Sequence, residues 1–95
     1  MIKVDENYVI RDCVDCYIAE YIKGTRFDKK KNIEVPATEN LGYFGKIEGA
    51  LRACKNHAVR KNVAENDYDM NGAIEMITET TAHFENVLKK AIGDN

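Results

Sequence analysis

Arg52, Asn56 and Arg60 are four residues apart, and this spacing places them on one face of a helix. Guanidinium groups bind phosphate through two parallel hydrogen bonds, so this face could hold an anion. Tyr43 and Phe44 come just before the predicted helix, and aromatic rings stack well on nucleobases. The residue types therefore predict a ligand site formed by Tyr43, Phe44, Arg52, Asn56 and Arg60.

A structural role for the same residues is the alternative. Arg52 and Arg60 could form ion pairs with acids of a following helix, such as Glu75 and Glu79. Tyr43 and Phe44 could belong to the hydrophobic core, and for Phe44 we favour that interpretation.

Cys13, Cys16, Cys54 and His57 match the number and types of ligands in a tetrahedral zinc site. Cys54, however, lies on the apolar stripe of the predicted helix, where a thiol packs as a small hydrophobic group. The Val14-Asp15 spacer also lacks the glycine that often closes a zinc-binding turn. We therefore predict that the chain binds no metal and no other cofactor.

Catalytic motifs are missing from the sequence. It contains neither a Gly-x-Ser-x-Gly motif nor a phosphate-binding loop. His57 lies one helical turn from Cys54, but no third group is placed to orient this pair. The residues predict a binding protein, not an enzyme.

Composition and length are typical of one globular domain, residues 1–95, with 44% hydrophobic and 32% charged residues. No apolar run approaches the ~18 residues of a membrane span. The N-terminus lacks the apolar core of a signal peptide, so we expect a location in the host cytoplasm and reduced cysteines.

Charge is distributed unevenly along the chain. Residues 23–61 contain ten Lys and Arg against four Asp and Glu, which gives +6. Because the whole chain has a net charge of −2, the remainder carries −8. This separation could steer an anionic ligand, or it could let the basic region of one subunit meet the acidic region of another. The negative total disfavours duplex nucleic acid as a partner.

The hydrophobic pattern predicts an α+β fold: a three-stranded antiparallel β-meander in residues 1–45, followed by two helices. Strands are predicted at about 8–12, 16–23 and 41–44, with a tight turn at Asp12–Asp15. Residues 24–40 are polar and contain Pro36, which predicts a long hairpin excursion, strand-like only at 32–35. The helices are predicted at about 46–63 and 70–92, the second with Asp69 as its N-cap.

The second helix carries a longer apolar stripe than this small sheet can cover. Because the stripe repeats every three or four residues over three heptads, we expect part of it to contact another subunit in a dimer or higher homo-oligomer. The stripe comprises Met70, Ile74, Ile77, Thr81, Phe84, Leu88 and Ala91.

The chain resembles a group of small phage and prophage proteins from Firmicutes. The resemblance spans most of the chain, from a hairpin that begins near Asn7, through a Gly-Tyr-Phe strand, to a helix of the Leu-Glu-x-Ala-Leu type. The matching residues in the last two elements are Gly42, Tyr43, Phe44, Ile47, Glu48, Ala50 and Leu51. In size and layout the chain is similar to the Thoeris anti-defence proteins.

This resemblance implies a phage-encoded immune-evasion protein that sequesters a cyclic nucleotide defence signal without degrading it. The signal would be of the cyclic ADP-ribose type or a cyclic oligonucleotide, the latter being the class of signal used in CBASS defence. One alternative is a protein-binding inhibitor of a bacterial defence nuclease, as anti-CRISPR proteins are. Another is a small regulator stabilised by zinc.

Overall fold

The computed structural model describes residues 1–91 and has an α+β architecture. Four strands form one antiparallel sheet in the order β1-β2-β3-β4, α1 packs on this sheet, and α2 packs on α1. The predicted helix end at Ile92 lies outside the described residues. The elements are β1 (Ile2–Lys3), β2 (Tyr8–Cys13), β3 (Cys16–Asp28), β4 (Ile33–Phe44), α1 (Ile47–Glu65) and α2 (Met70–Ala91).

The sheet has four strands, so the prediction of three was wrong. The added strand, β1, pairs with β2 in the register Ile2↔Ile10. The Asp5 carboxylate accepts hydrogen bonds from the backbone N–H groups of Asn7, at 2.7 Å, and Tyr8, at 3.0 Å. Asp5, Glu6 and Asn7 therefore form the turn that brings β1 back onto the sheet.

Residues 24–40 are continuous β-structure, which corrects the predicted polar excursion. β3 and β4 pair from Tyr17↔Phe44 to Asp28↔Ile33. Pro36 fits because β4 is an edge strand, where one side of the backbone needs no partner. We call residues 23–38 the ribbon, because beyond the irregularity in register between Ile22 and Gly24 these two strands pair only with each other.

The core lies between the sheet and α1. Ile10 and Cys54 are its largest fully buried side chains, and Leu51 of α1 is buried beside them. Phe84 of α2 joins the same core, where its ring meets that of Tyr8 edge-on at a centroid distance of 5.7 Å. Thus β2, α1 and α2 are fixed to one another by a single cluster of apolar side chains.

Helix α2 begins at its predicted N-cap. The Asp69 carboxylate accepts a hydrogen bond of 2.7 Å from the N–H of Gly72 and so satisfies a free donor of the first turn. The predicted apolar stripe is split: Phe84 is buried, whereas Met70, Ile74 and Ile77 are 75%, 55% and 42% exposed. Within residues 1–91, neither helix has the length and apolar composition needed to cross a membrane.

Candidate functional site

A groove of about 300 Å³ lies between the C-terminal half of β4 and helix α1. Four of the five residues predicted for the ligand site line it, namely Phe44, Arg52, Asn56 and Arg60. Phe44 is the last residue of β4, and the other three residues lie on one side of α1. The helical spacing recognised in the sequence therefore does bring these polar groups to one surface.

Phe44 is held against α1 by two glycines. A Cβ atom at Gly49 would lie 3.4 Å from Cδ1 of Phe44, and one at Gly42 would lie 3.0 Å from Cζ. Gly42 also has φ of 135°, a backbone conformation that side-chain-bearing residues rarely adopt. Because both neighbours lack a side chain, the ring lies close to the backbone and half-buried, at one end of the groove.

Tyr43 does not line the groove. Successive side chains of a strand point to opposite faces, so Tyr43 lies on the sheet face away from the helices. It pairs across the sheet with Ile18 and is 66% exposed. The structure thus brings four of the five predicted residues together and leaves Tyr43 apart.

Arg52 and Arg60 are exposed and lie two helical turns apart, about 12 Å along the axis of α1. Within the described part of the chain, every ion pair is formed by another cation: Arg11, His57, Lys61 or His83. Glu75 and Glu79 therefore do not pair with these arginines. Both guanidinium groups are available to an anion from outside the chain.

His57 joins this groove to a neighbouring hollow of about 520 Å³. Its Nδ1 atom lies 2.9 Å from the hydroxyl of Tyr8, and its Nε2 atom lies 3.5 Å from Oε2 of Glu39. Its ring lies against Tyr21 at a centroid distance of 4.6 Å. Arg60 lines both hollows. The two hollows form one trough, with Phe44 and Tyr21 as aromatic groups toward its two ends.

Sequence reasoning missed the contribution of His57, Tyr21 and Lys61 to this trough. The distance between Lys61 Nζ and the centre of the Tyr21 ring is 5.9 Å, which is within the range of a cation–π contact. The signal was available on α1, because His57 and Lys61 are four residues apart and follow the same edge of the helix. The contact of Tyr21 with this edge of α1 depends on strand register, which could not be predicted from the sequence.

Two ionisable groups behind the trough, Tyr8 and Cys54, are held in their neutral forms. Burial raises the pKa of the Tyr8 hydroxyl, and the nearby Cys54, Tyr21 and Asp5 raise it further. Tyr8 therefore stays protonated and can donate its hydrogen bond to His57. Burial, followed by the negative charge of Asp5, raises the pKa of Cys54 to about 12. Since the thiolate is the reactive form, Cys54 is a packing residue and a poor nucleophile.

The four residues considered as zinc ligands do not converge. Cys54 faces the core, whereas Cys13 and Cys16 pair across the β2–β3 turn. The alternation of side chains places both on the sheet face opposite α1. In residues 1–91, no three His, Cys, Asp or Glu side chains are placed to hold a metal ion together. That the chain binds no zinc stays a prediction, which metal analysis of the purified protein would test.

Comparison with known proteins found no protein-family profile, no curated protein and no solved structure that matches this chain.

Proposed function

We propose that this chain is a non-enzymatic binding protein that sequesters a cyclic nucleotide signal in the trough between β4 and α1. The observation that supports this proposal best is the pair Arg52 and Arg60, two guanidinium groups without ion-pair partners in residues 1–91 along one groove. Phe44 adds an aromatic ring at the same groove. Phosphate and nucleobase are the two chemical groups that such a site would recognise.

The polar groups of the trough suit a nucleotide better than a simple anion. Asn56 offers both a hydrogen-bond donor and an acceptor, and such a side chain can read the edge of a base or a ribose. The two hollows, of about 300 Å³ and 520 Å³, lie within the size range of small-molecule sites. Among the described residues that line the trough, Glu39 is the one carboxylate, and it lies beside His57.

Binding without turnover is expected from the groups at this site. Cys54, the nucleophile closest in sequence to His57, is buried and lies outside the lining of the trough. Both ring nitrogens of His57 are engaged, one by the hydroxyl of Tyr8 and the other by the carboxylate of Glu39. A ligand would therefore be released chemically unchanged.

The class of signal comes from the resemblance to phage proteins. In that setting the ligand is a cyclic ADP-ribose-type molecule or a cyclic oligonucleotide made by a host defence system, and the chain acts in the host cytoplasm. Both ligands combine nucleobase and phosphate groups, which aromatic rings and guanidinium groups recognise.

Mass spectrometry of small molecules released by heating the purified protein tests the proposal. Protein made in cells that produce the signal should release an intact cyclic nucleotide, and the double variant Arg52→Ala/Arg60→Ala should release much less. Tyr43→Ala is the matched control, because Tyr43 lies away from the groove. Release of a linear or hydrolysed nucleotide would contradict sequestration, and so would wild-type protein that retains no nucleotide.

A further inference from the structure

The ribbon is strongly basic and has no core of its own. Residues 23–38 carry five Lys and Arg against two Asp and Glu, a net charge of +3. Nearly every side chain near its tip is exposed, including Phe27 at 56% and Ile33 at 53%. A two-stranded ribbon is marginal in water unless something packs on it. Its Lys and Arg side chains, together with Phe27 and Ile33, are therefore accessible for contact with another molecule.

The tip of the ribbon is an ordered turn. Asp28 uses its carboxylate to accept a hydrogen bond of 2.9 Å from the N–H of Lys30, and its carbonyl oxygen accepts one of 2.7 Å from the N–H of Asn32. Asn32 has φ of 57°, in the left-handed region that asparagine tolerates. Because Asp28 is engaged by backbone groups, it holds the turn in place while Lys29, Lys30 and Lys31 extend into solvent.

An acidic segment of the chain runs from the end of α1 through most of α2. Residues 62–88 contain six Asp and Glu and no Lys or Arg. Met70, Ile74 and Ile77 are exposed in the same segment, one or two helical turns apart. We call Met70, Ile74 and Ile77 the open stripe. The acids of the segment are Glu65, Asp67, Asp69, Glu75, Glu79 and Glu85.

The ribbon and the open stripe do not meet within one chain. In residues 1–91, the backbone of α2 packs on α1 and on no strand of the sheet. The ribbon extends from the far ends of β3 and β4, in a molecule whose longest dimension is 48 Å. Opposite charges that cannot meet inside one copy can meet between two copies.

We propose that the ribbon of one copy docks on the open stripe of a second copy of this chain. Each surface combines exposed apolar side chains with charge, and the two charges are opposite. Contact between two open stripes is disfavoured, because it would bring together two acidic segments that contain no Lys or Arg. The apolar contact would join Phe27 or Ile33 with Ile74 of the open stripe. The lysines of the tip would lie across the exposed face of α2, beside Glu75 and Glu79.

This docking joins different surfaces on the two copies. Two such contacts related by a two-fold axis close a dimer, whereas one contact per copy repeated without closure would build a filament. The inference does not depend on the ligand of the trough, so it would stand even if the proposed nucleotide binding failed.

A charge-swap experiment tests the docking. In light scattering at low salt, wild-type protein should be a dimer or larger. Lys29→Glu/Lys30→Glu and Glu75→Lys/Glu79→Lys should each raise the dissociation constant at least tenfold. An equimolar mixture of the two variants should recover mixed oligomers, because each repulsive contact then becomes attractive. The control Lys89→Glu/Lys90→Glu changes equal charge at the other end of α2 and should leave the mass unchanged.

Three results would overturn the inference. The first is wild-type protein that stays monomeric at about 100 micromolar, a concentration that corresponds to roughly −5.5 kcal/mol on the affinity scale. The second is an unchanged mass for Lys29→Glu/Lys30→Glu with its circular dichroism spectrum intact. The third is a monomer whose ribbon binds a DNA duplex in fluorescence anisotropy, which would assign the ribbon to nucleic acid.

Discussion

The Nδ1 atom of His57 lies 2.9 Å from the hydroxyl of Tyr8, although 49 positions separate the two residues in the chain. This contact joins α1 to β2 directly behind the proposed binding trough. Tyr21 and Phe84 pack against the Tyr8 ring, so the hydrogen bond lies within a cluster of aromatic side chains. The position of His57 in the trough is therefore fixed by the core of the fold.

Tyr8→Phe should lower the free energy of unfolding by about 0.5–1.5 kcal/mol, the usual net value of one hydrogen bond. The ring of residue 8 and its packing remain, and only the hydroxyl that contacts Nδ1 of His57 is lost. Tyr43→Phe is the matched control, because Tyr43 is mostly exposed and its hydroxyl forms no hydrogen bond within residues 1–91. Urea denaturation measures both variants. Equal stability of the two would show that the Tyr8–His57 contact contributes nothing.

Substitutions at Ile77 and Phe84 should have different effects, although both residues belong to the stripe predicted from sequence. Phe84 is buried against Tyr8 and the core, so Phe84→Asp should unfold the chain. Ile77 is 42% exposed, so Ile77→Asp should leave the fold intact and reduce the oligomer mass. Circular dichroism and light scattering separate these effects. A folded Phe84→Asp variant would contradict the packing described for α2.

Alkaline pH should destabilise the fold through Cys54. Burial raises its pKa to about 12 in the folded chain, whereas a thiol in the unfolded chain ionises near its ordinary value of about 8.5. Above that value the unfolded chain releases a proton that the folded chain keeps, so stability falls as pH rises. The advantage of wild type over Cys54→Ala should therefore shrink between pH 8 and pH 10, as measured by denaturation across this range.

Cys13 supplies the control for this pH experiment, because it is only partly buried and lies outside the core, so Cys13→Ala leaves the core unchanged. Its stability relative to wild type should not vary with pH in the way that Cys54→Ala does. If the difference in unfolding free energy between wild type and Cys54→Ala stays constant over the same pH range, the raised pKa of Cys54 would be contradicted.

Hydrophobic periodicity predicted the helices correctly, because each helix buries one apolar face against the rest of the protein. The stripe of α1 that contains Ala50, Leu51 and Cys54 is buried, and α2 begins at Met70 after its Asp69 cap, both as predicted. The ribbon could not be predicted in the same way. It buries no face, so apart from the short Ile33-Glu34-Val35 alternation its sequence lacks the pattern of a strand.

The residues of the candidate site that lie on α1 were predicted correctly, because their placement depends on one helix. The placement of Tyr43 was predicted wrongly, because it depends on strand register. Arg52, Asn56 and Arg60 share a side of α1 because of their spacing alone. The separation of Tyr43 from Phe44 depends on which face of β4 meets α1, and the irregularity in register between Ala19 and Glu20 changes the pairing along that strand. Local spacing carries no information on that long-range pairing.

Calorimetric titration of cyclic ADP-ribose and of a panel of cyclic oligonucleotides into purified protein tests the central claim most directly. Wild type should bind at least one of them, and Arg52→Ala and Arg60→Ala should each weaken binding by roughly tenfold to a hundredfold, because a charge-assisted contact contributes about 1.5–3 kcal/mol. Tyr43→Ala should bind as wild type does, and all variants should melt at nearly the same temperature. Wild-type protein that binds none of these nucleotides at about 100 micromolar, or roughly −5.5 kcal/mol, would contradict the account.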